Sequence, residues 1–167
     1  ISRDNLRTVI KADNLPLRES EQWDTVSFIL YRDDDNYITV GKKSHYDGIA
    51  TVTETGGRAV ETGGDSTQNS LTSAWLGFCK KGSTVSVDFK TDGGSWQHVA
   101  DLSADMLGSS YKIGFTAWET NDRNKSAAFS GLRAGSGDLS YEELCAMPAV
   151  SFVTESNQAP SAADAAF

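Results

Sequence analysis

The stretch Ala74-Trp75-Leu76-Gly77-Phe78-Cys79-Lys80, followed across Lys81-Gly82 by Ser83-Thr84-Val85-Ser86-Val87-Asp88-Phe89-Lys90, decides the fold class. Apolar side chains recur at every second position: Ala74, Leu76 and Phe78 in the first run, Val85, Val87 and Phe89 in the second. That is the period of a strand with one buried face. Lys81-Gly82 between them reads as a turn, since glycine reverses the chain without steric cost. A strand pair apolar on one face needs a second layer to cover it.

The same alternation runs outward through Leu6 to Ile10, Thr25 to Arg32, Tyr37 to Lys42, Gly48 to Thr53, Arg58 to Glu61, Trp96 to Asp101, Tyr111 to Trp118 and Ser126 to Arg133. Asp33-Asp34-Asp35-Asn36, Asp92-Gly93-Gly94 and Asn121-Asp122 punctuate these runs with residues that tolerate positive φ or bond their own backbone. The pattern predicts an all-β, two-sheet antiparallel sandwich of the jelly-roll type. One short helix is predicted over Leu139 to Met147, capped by Asp138 or Ser140, with Ser140 and Glu143 at capping-box spacing and Pro148 as a stop. Beyond the apolar stretch Ala149 to Val153, Glu155 to Asp164 lacks a core pattern and reads as a linker. The expected division is a sandwich domain over 1–154 and a tail over 155–167, cut from a longer chain.

A chain of 167 residues, 38% hydrophobic and 23% charged, suits one globular domain. The net charge of -8 with scattered cations argues against nucleic acid as a partner, because phosphate contacts need clustered Lys and Arg. No apolar run approaches the roughly 20 residues of a membrane span, so membrane insertion is not expected. The beginning of the sequence lacks the apolar core of a signal peptide, which places any export signal outside it. Cys79 and Cys145 are compatible with a disulfide or with two thiols.

Parity separates the two faces of each strand. Opposite the apolar row Ala74, Leu76, Phe78 lie Trp75, Gly77 and Cys79, and opposite Tyr111, Ile113, Phe115 and Ala117 lie Lys112, Gly114, Thr116 and Trp118. Asp88 lies opposite Val85, Val87 and Phe89; Tyr37 lies opposite Ile38 and Val40; Tyr31 lies opposite Val26, Phe28 and Leu30. If these strands share one sheet, its outer face combines Trp75, Trp118, Tyr31 and Tyr37 with Asp88 and hydroxyls. Rings stack on the apolar face of a pyranose while polar groups bond its hydroxyls. Gly77 and Gly114 would open a trough between the rings, and Asn121 and Arg123 beyond Trp118 would be polar partners. The competing reading has Trp75 and Trp118 covered by another segment and packing a second small core.

Three segments then carry a resemblance. Phe28-Ile29-Leu30-Tyr31-Arg32-Asp33-Asp34-Asp35-Asn36-Tyr37-Ile38, the run Ala74 to Phe89 with Thr91-Asp92-Gly93-Gly94-Ser95-Trp96, and Tyr111 to Ala117 with Ala128-Phe129 agree in order with the concanavalin A-like lectin/glucanase superfamily. They resemble in particular the C-terminal sandwich modules of bacterial β-xylosidases and other secreted glycosidases. The resemblance implies a non-catalytic, lectin-like carbohydrate-binding module of a larger secreted glycoside hydrolase. Such a module binds glycan on its concave sheet or only packs against the catalytic domain of the same polypeptide. Where many relatives read Phe-Asp near a structural calcium, this sequence reads Phe129-Ser130, which puts that calcium in doubt.

No catalytic residue is expected. The Glu-x-Asp-x-x-Glu pattern of a glucanase strand is absent, and Glu19, Glu21, Glu142 and Glu143 sit in a loop and a helix. His45 and His98 have no nucleophile in a recognisable elbow. Asp33-Asp34-Asp35-Asn36 could offer oxygens to calcium but lacks the glycine and distal glutamate of a calcium loop, so a solvated turn is the better reading. No other cofactor is implied.

Overall fold

The computed structural model describes residues 4–18, 24–118 and 126–150. Every expected strand forms: β1 (Asn5–Asp13), β2 (Thr25–Asp33), β3 (Asn36–Lys43), β4 (Ile49–Thr55), β5 (Arg58–Gly63), β6 (Ser73–Lys81), β7 (Thr84–Lys90), β8 (Gln97–Ser103), β9 (Lys112–Trp118) and β10 (Ala128–Ser136). They assemble into two antiparallel five-stranded sheets, ordered β10-β1-β6-β7-β8 and β5-β4-β3-β2-β9, which we call the first and second sheet. The architecture is the two-sheet sandwich that the alternation predicts. Two 3₁₀ turns, at Ser66–Gln68 and Asp105–Leu107, add to the strands and have no periodic signature in the sequence.

The rows assigned to the interior by parity meet between the sheets. Leu76, Phe78, Val85 and Val87 of the first sheet and Phe28, Leu30, Ile38 and Val40 of the second are all fully buried in one cluster. The Phe28 and Phe78 rings lie 5.1 Å apart. Two assignments differ: of the inward row of β9, Ala117 is exposed and so is Phe115, at 50%. Phe115 stacks on Phe129 of β10 at 4.4 Å. Both strands are edges of their sheets.

The helix is shorter than expected. α1 spans Tyr141–Ala146 and is capped by Ser140, whose side chain accepts from the Glu143 N–H while Glu143 accepts from the Ser140 N–H. Asp138 is not the cap; it accepts from Asn5 instead. The helix lies on the outer face of the first sheet and builds a second, smaller core from Val9, Cys79, Tyr141 and Leu144, with Trp75, Trp96, Leu139 and Cys145 against it. Tyr141 is its centre: Trp96 stacks on the ring at 4.1 Å, and the Arg7 guanidinium lies 4.5 Å from the ring centroid. Gly77 makes room for it, because a Cβ there would stand 2.8 Å from the Tyr141 ring. Cys79 and Cys145 are free thiols, the first buried and the second half-buried.

Lys42 continues the inward row of β3 and is fully buried. Its Nζ donates to the Asn69 and Leu71 carbonyls at 2.6 and 2.8 Å, which ties the 64–72 connection to the end of the sandwich. Desolvation pushes its pKa from 10.5 down to about 8.

Two outcomes follow. Trp75→Ala, which opens the second core, should lower unfolding stability by about 3 kcal/mol, measured by urea titration; a change within experimental error would show that the ring carries no packing. Lys42 makes stability depend on pH: between about 8 and 10.5 the unfolded chain holds a proton there more readily than the folded one, so stability rises with pH. Above 10 the trend should reverse, because burial pushes Tyr37 up to about 12 and Tyr141 higher still, keeping both neutral in the fold while the unfolded chain ionises. Urea midpoints from pH 8 to 10 should rise in the native protein relative to Lys42→Met, and parallel profiles would refute the assignment.

Candidate functional site

The outer face of the second sheet carries no covering helix among the described residues. Strand register sets its side chains in four rungs. Trp118 of β9 lies opposite Thr25, with Lys43 beyond; the next rung is Thr116, Ser27 and Gly41; the third is Gly114, Ile29 and Thr39; the fourth is Lys112, Tyr31 and Tyr37. β4 extends the last two rungs with Val52 and Glu54. Between the end rungs lies a trough of ≈ 300 Å³, lined by hydroxyls of Thr25, Ser27, Thr39 and Thr116, by Ile29 and Val52, and by the rings of Trp118, Tyr31 and Tyr37. Trp118, 59% exposed, stands at one end. Six residues of β2 separate its rung from that of Tyr31, about 20 Å.

The tyrosine end is pre-ordered. The Tyr31 hydroxyl donates to Asp34 and the Tyr37 hydroxyl to Glu54, each at 2.6 Å. The bond to Asp34 raises the Tyr31 pKa; for Tyr37, desolvation is the first cause and the Glu54 bond the second. Both phenols stay protonated and hold their rings in fixed orientations. On the opposite rim Lys43 lies 3.5 Å from Glu61, whose pKa burial raises against the pull of Lys43. The floor depends on Gly41, where a Cβ would fall 2.1 Å from the Val26 carbonyl oxygen. Gly114 is permissive rather than required, since a Cβ there would meet Ile29 at an ordinary 3.7 Å.

The sequence-based platform is therefore split. Trp118, Tyr31 and Tyr37 share the second sheet, but Trp75 and Asp88 belong to the first. Trp75 is half-buried beside α1, with the Arg133 guanidinium 5.4 Å from its ring centroid, so the competing reading, a second core, describes it. Gly77 opens space for Tyr141 and not for a ligand. Asp88 is engaged on both oxygens, accepting from the Tyr141 hydroxyl at 2.8 Å and lying 3.1 Å from His98 Nδ1. Asn121 and Arg123 fall outside the described residues. Parity assigns a side to each residue, but not a sheet to each strand.

The Ser86, His98 and Asp88 cluster on the first sheet does not form a relay. The Ser86 hydroxyl and the Asp88 carboxylate both approach the same ring nitrogen, Nδ1, at 3.4 and 3.1 Å. General-base activation needs the nucleophile on one nitrogen and the carboxylate on the other. The turn Asp33 to Asn36 bonds to itself: Asp33 accepts from the Asp35 N–H and from Asn36 Nδ2. Among the described residues no three His, Cys, Asp or Glu side chains are grouped to hold a metal ion. Sequence reasoning missed Asp34, Glu54, Lys43 and Ile29 as neighbours of the trough. The Tyr37 and Glu54 pairing is legible in principle from the register of the β3–β4 hairpin.

No protein-family model and no curated protein matches the sequence. Among solved structures the chain is similar to the GH43 protein BlXynB from Bacillus licheniformis, with a TM-score of 0.64, 16% identity and 80% of this chain covered. It is similar also to the xylan β-1,4-xylosidase from Bacillus halodurans, with a TM-score of 0.63, 15% identity and 78% of this chain covered. A functionally unknown protein from Saccharomyces cerevisiae matches with a TM-score of 0.58 and 14% identity, over 80% of this chain and 70% of that one. The chain spans 28% and 27% of the lengths of the two bacterial enzymes. At these identities the likeness shows the fold: a sandwich that corresponds to a portion of larger GH43 proteins.

Proposed function

We propose that this chain is a non-catalytic accessory module of a larger, secreted glycoside hydrolase, and that it binds glycan on the outer face of the second sheet. Trp118 carries the proposal. A large ring left 59% exposed at the end of a trough is placed as a sugar-stacking ring must be. Tyr31 and Tyr37 supply the far end, Thr25 and Thr116 supply polar partners between, and Asn121 and Arg123 are proposed as partners from their places in the sequence after Trp118. Trp75 and Asp88 are released from the proposal because they serve the second core. Tethering would concentrate the catalytic domain on its substrate even where the module's own affinity is weak.

A second reading rests on a different surface. The lateral seam at Phe115 and Phe129 leaves an apolar patch, as a structural module packing against its catalytic domain would present. That reading expects no glycan bound by the isolated domain, and weaker association with the catalytic domain in Phe115→Ser.

The test is a glycan array with the isolated domain, then titration of the hits. Trp118→Ala should weaken binding several-fold, about 1 kcal/mol, while leaving the unfolding midpoint nearly unchanged. Binding that survives in Trp118→Ala at full strength, or no binding to any glycan, would overturn the proposal.

A further inference from the structure

We infer that the trough selects linear, uncharged oligosaccharides long enough to reach from Trp118 to the Tyr31 and Tyr37 pair; this rests on the glycan-binding reading above. The argument has three parts. The first is length. A ligand that used one ring would need only one end of the trough, but the rings stand three rungs apart, about 20 Å, with no other aromatic side chain lining the space between them. The intervening rungs hold small and hydroxyl side chains, Thr116, Ser27, Gly41, Gly114 and Thr39, beside Ile29. Such a surface lets a chain lie flat along the strands, with a ring stacked at each end and hydroxyls facing the floor between.

The second part is charge. The lining contains one carboxylate, Asp34, and one ammonium, Lys43. Both are engaged, Asp34 by the Tyr31 hydroxyl and Lys43 by Glu61. A polyuronate or sulfated glycan would bring a negative charge on successive rings to two middle rungs that hold no cation among the described residues, and to an end rung where Asp34 and Glu54 already sit. Lys43 stands at the Trp118 end, already paired with Glu61, and Lys112, on the edge strand beside Tyr31, can meet one charge at the other end. On a protein of net charge -8 the long-range field opposes polyanions as well.

The third part is order. The phenols are held by carboxylates at 2.6 Å, so the tyrosine end is oriented before a ligand arrives. Preorganised rings lose less freedom on binding.

The experiment titrates the isolated domain with linear β-1,4-linked xylose, glucose and mannose oligomers from disaccharide to hexasaccharide, and with oligogalacturonates of the same lengths. Affinity for at least one neutral series should rise about tenfold or more with length and then level off. Trp118→Ala and Tyr31→Ala should each cost about five-fold on the longest oligomer, whereas a disaccharide, able to occupy one end only, should be sensitive to one substitution and not the other. Tyr31→Phe, which keeps the ring, should retain most of the affinity and guards against misfolding of the alanine variant. Affinity that is full at the disaccharide, or tighter binding of oligogalacturonates at low salt, would overturn this inference while leaving glycan binding in place. Failure to bind any glycan in the array or the titrations would sink both.

Discussion

Everything in this molecule hangs from the contact between two apolar sheet faces, centred where the Phe28 and Phe78 rings meet at 5.1 Å. Because side chains alternate along a strand, a slip of one residue in any inner strand would carry its whole apolar row to the other face. The rows on β2, β3, β6 and β7 are buried, so each strand's register is tied to the burial of its partner's across the sandwich. That constraint also decides what is left outside. Once Phe28 and Leu30 point in, Ser27, Ile29 and Tyr31 must point out, and the trough is the outward print of the core.

The two outer faces then diverge for a local reason. On the first sheet, Gly77 leaves a gap between Val9 and Asp88 that fits the Tyr141 ring, and α1 settles there with its capping box complete. The ring fills the gap, Trp96 and Arg7 close over it, and its hydroxyl satisfies Asp88. On the second sheet no such plug stands over the small residues Gly41 and Gly114 among the described residues. Two strands of similar composition thus end in opposite roles: Trp75 becomes part of a core, and Trp118 stays in contact with water.

Two buried lysines, Lys42 and Lys80, are tied to backbone carbonyls. Lys42 donates its ammonium protons to two carbonyls of the connection between β5 and β6, which holds that loop to the sheet. Lys80 is almost as buried and reaches Asp4 and the Gly82 carbonyl. Both lie at sandwich ends, where long side chains can bury their stems and still find oxygen acceptors.

Alternation in Ala74 to Phe89 and its repeats is a property of neighbouring residues, so the strands, the inward rows, the hairpin turns and the Ser140 and Glu143 cap were all readable from the sequence alone. Pairing between distant strands is not local. Whether β6 sits beside β1 or beside β2 is decided by which arrangement buries the most apolar surface overall, and no window of residues contains that comparison. Trp75 and Trp118, equivalent by parity, were for this reason indistinguishable until the sheets were assembled. The exposure of Phe115 belongs to the same class, since its row is apolar but its strand ends at an edge. The chain by itself determined which side of each strand faces the core; only the tertiary structure decided what stands against the other side, because that neighbour comes from elsewhere in the sequence.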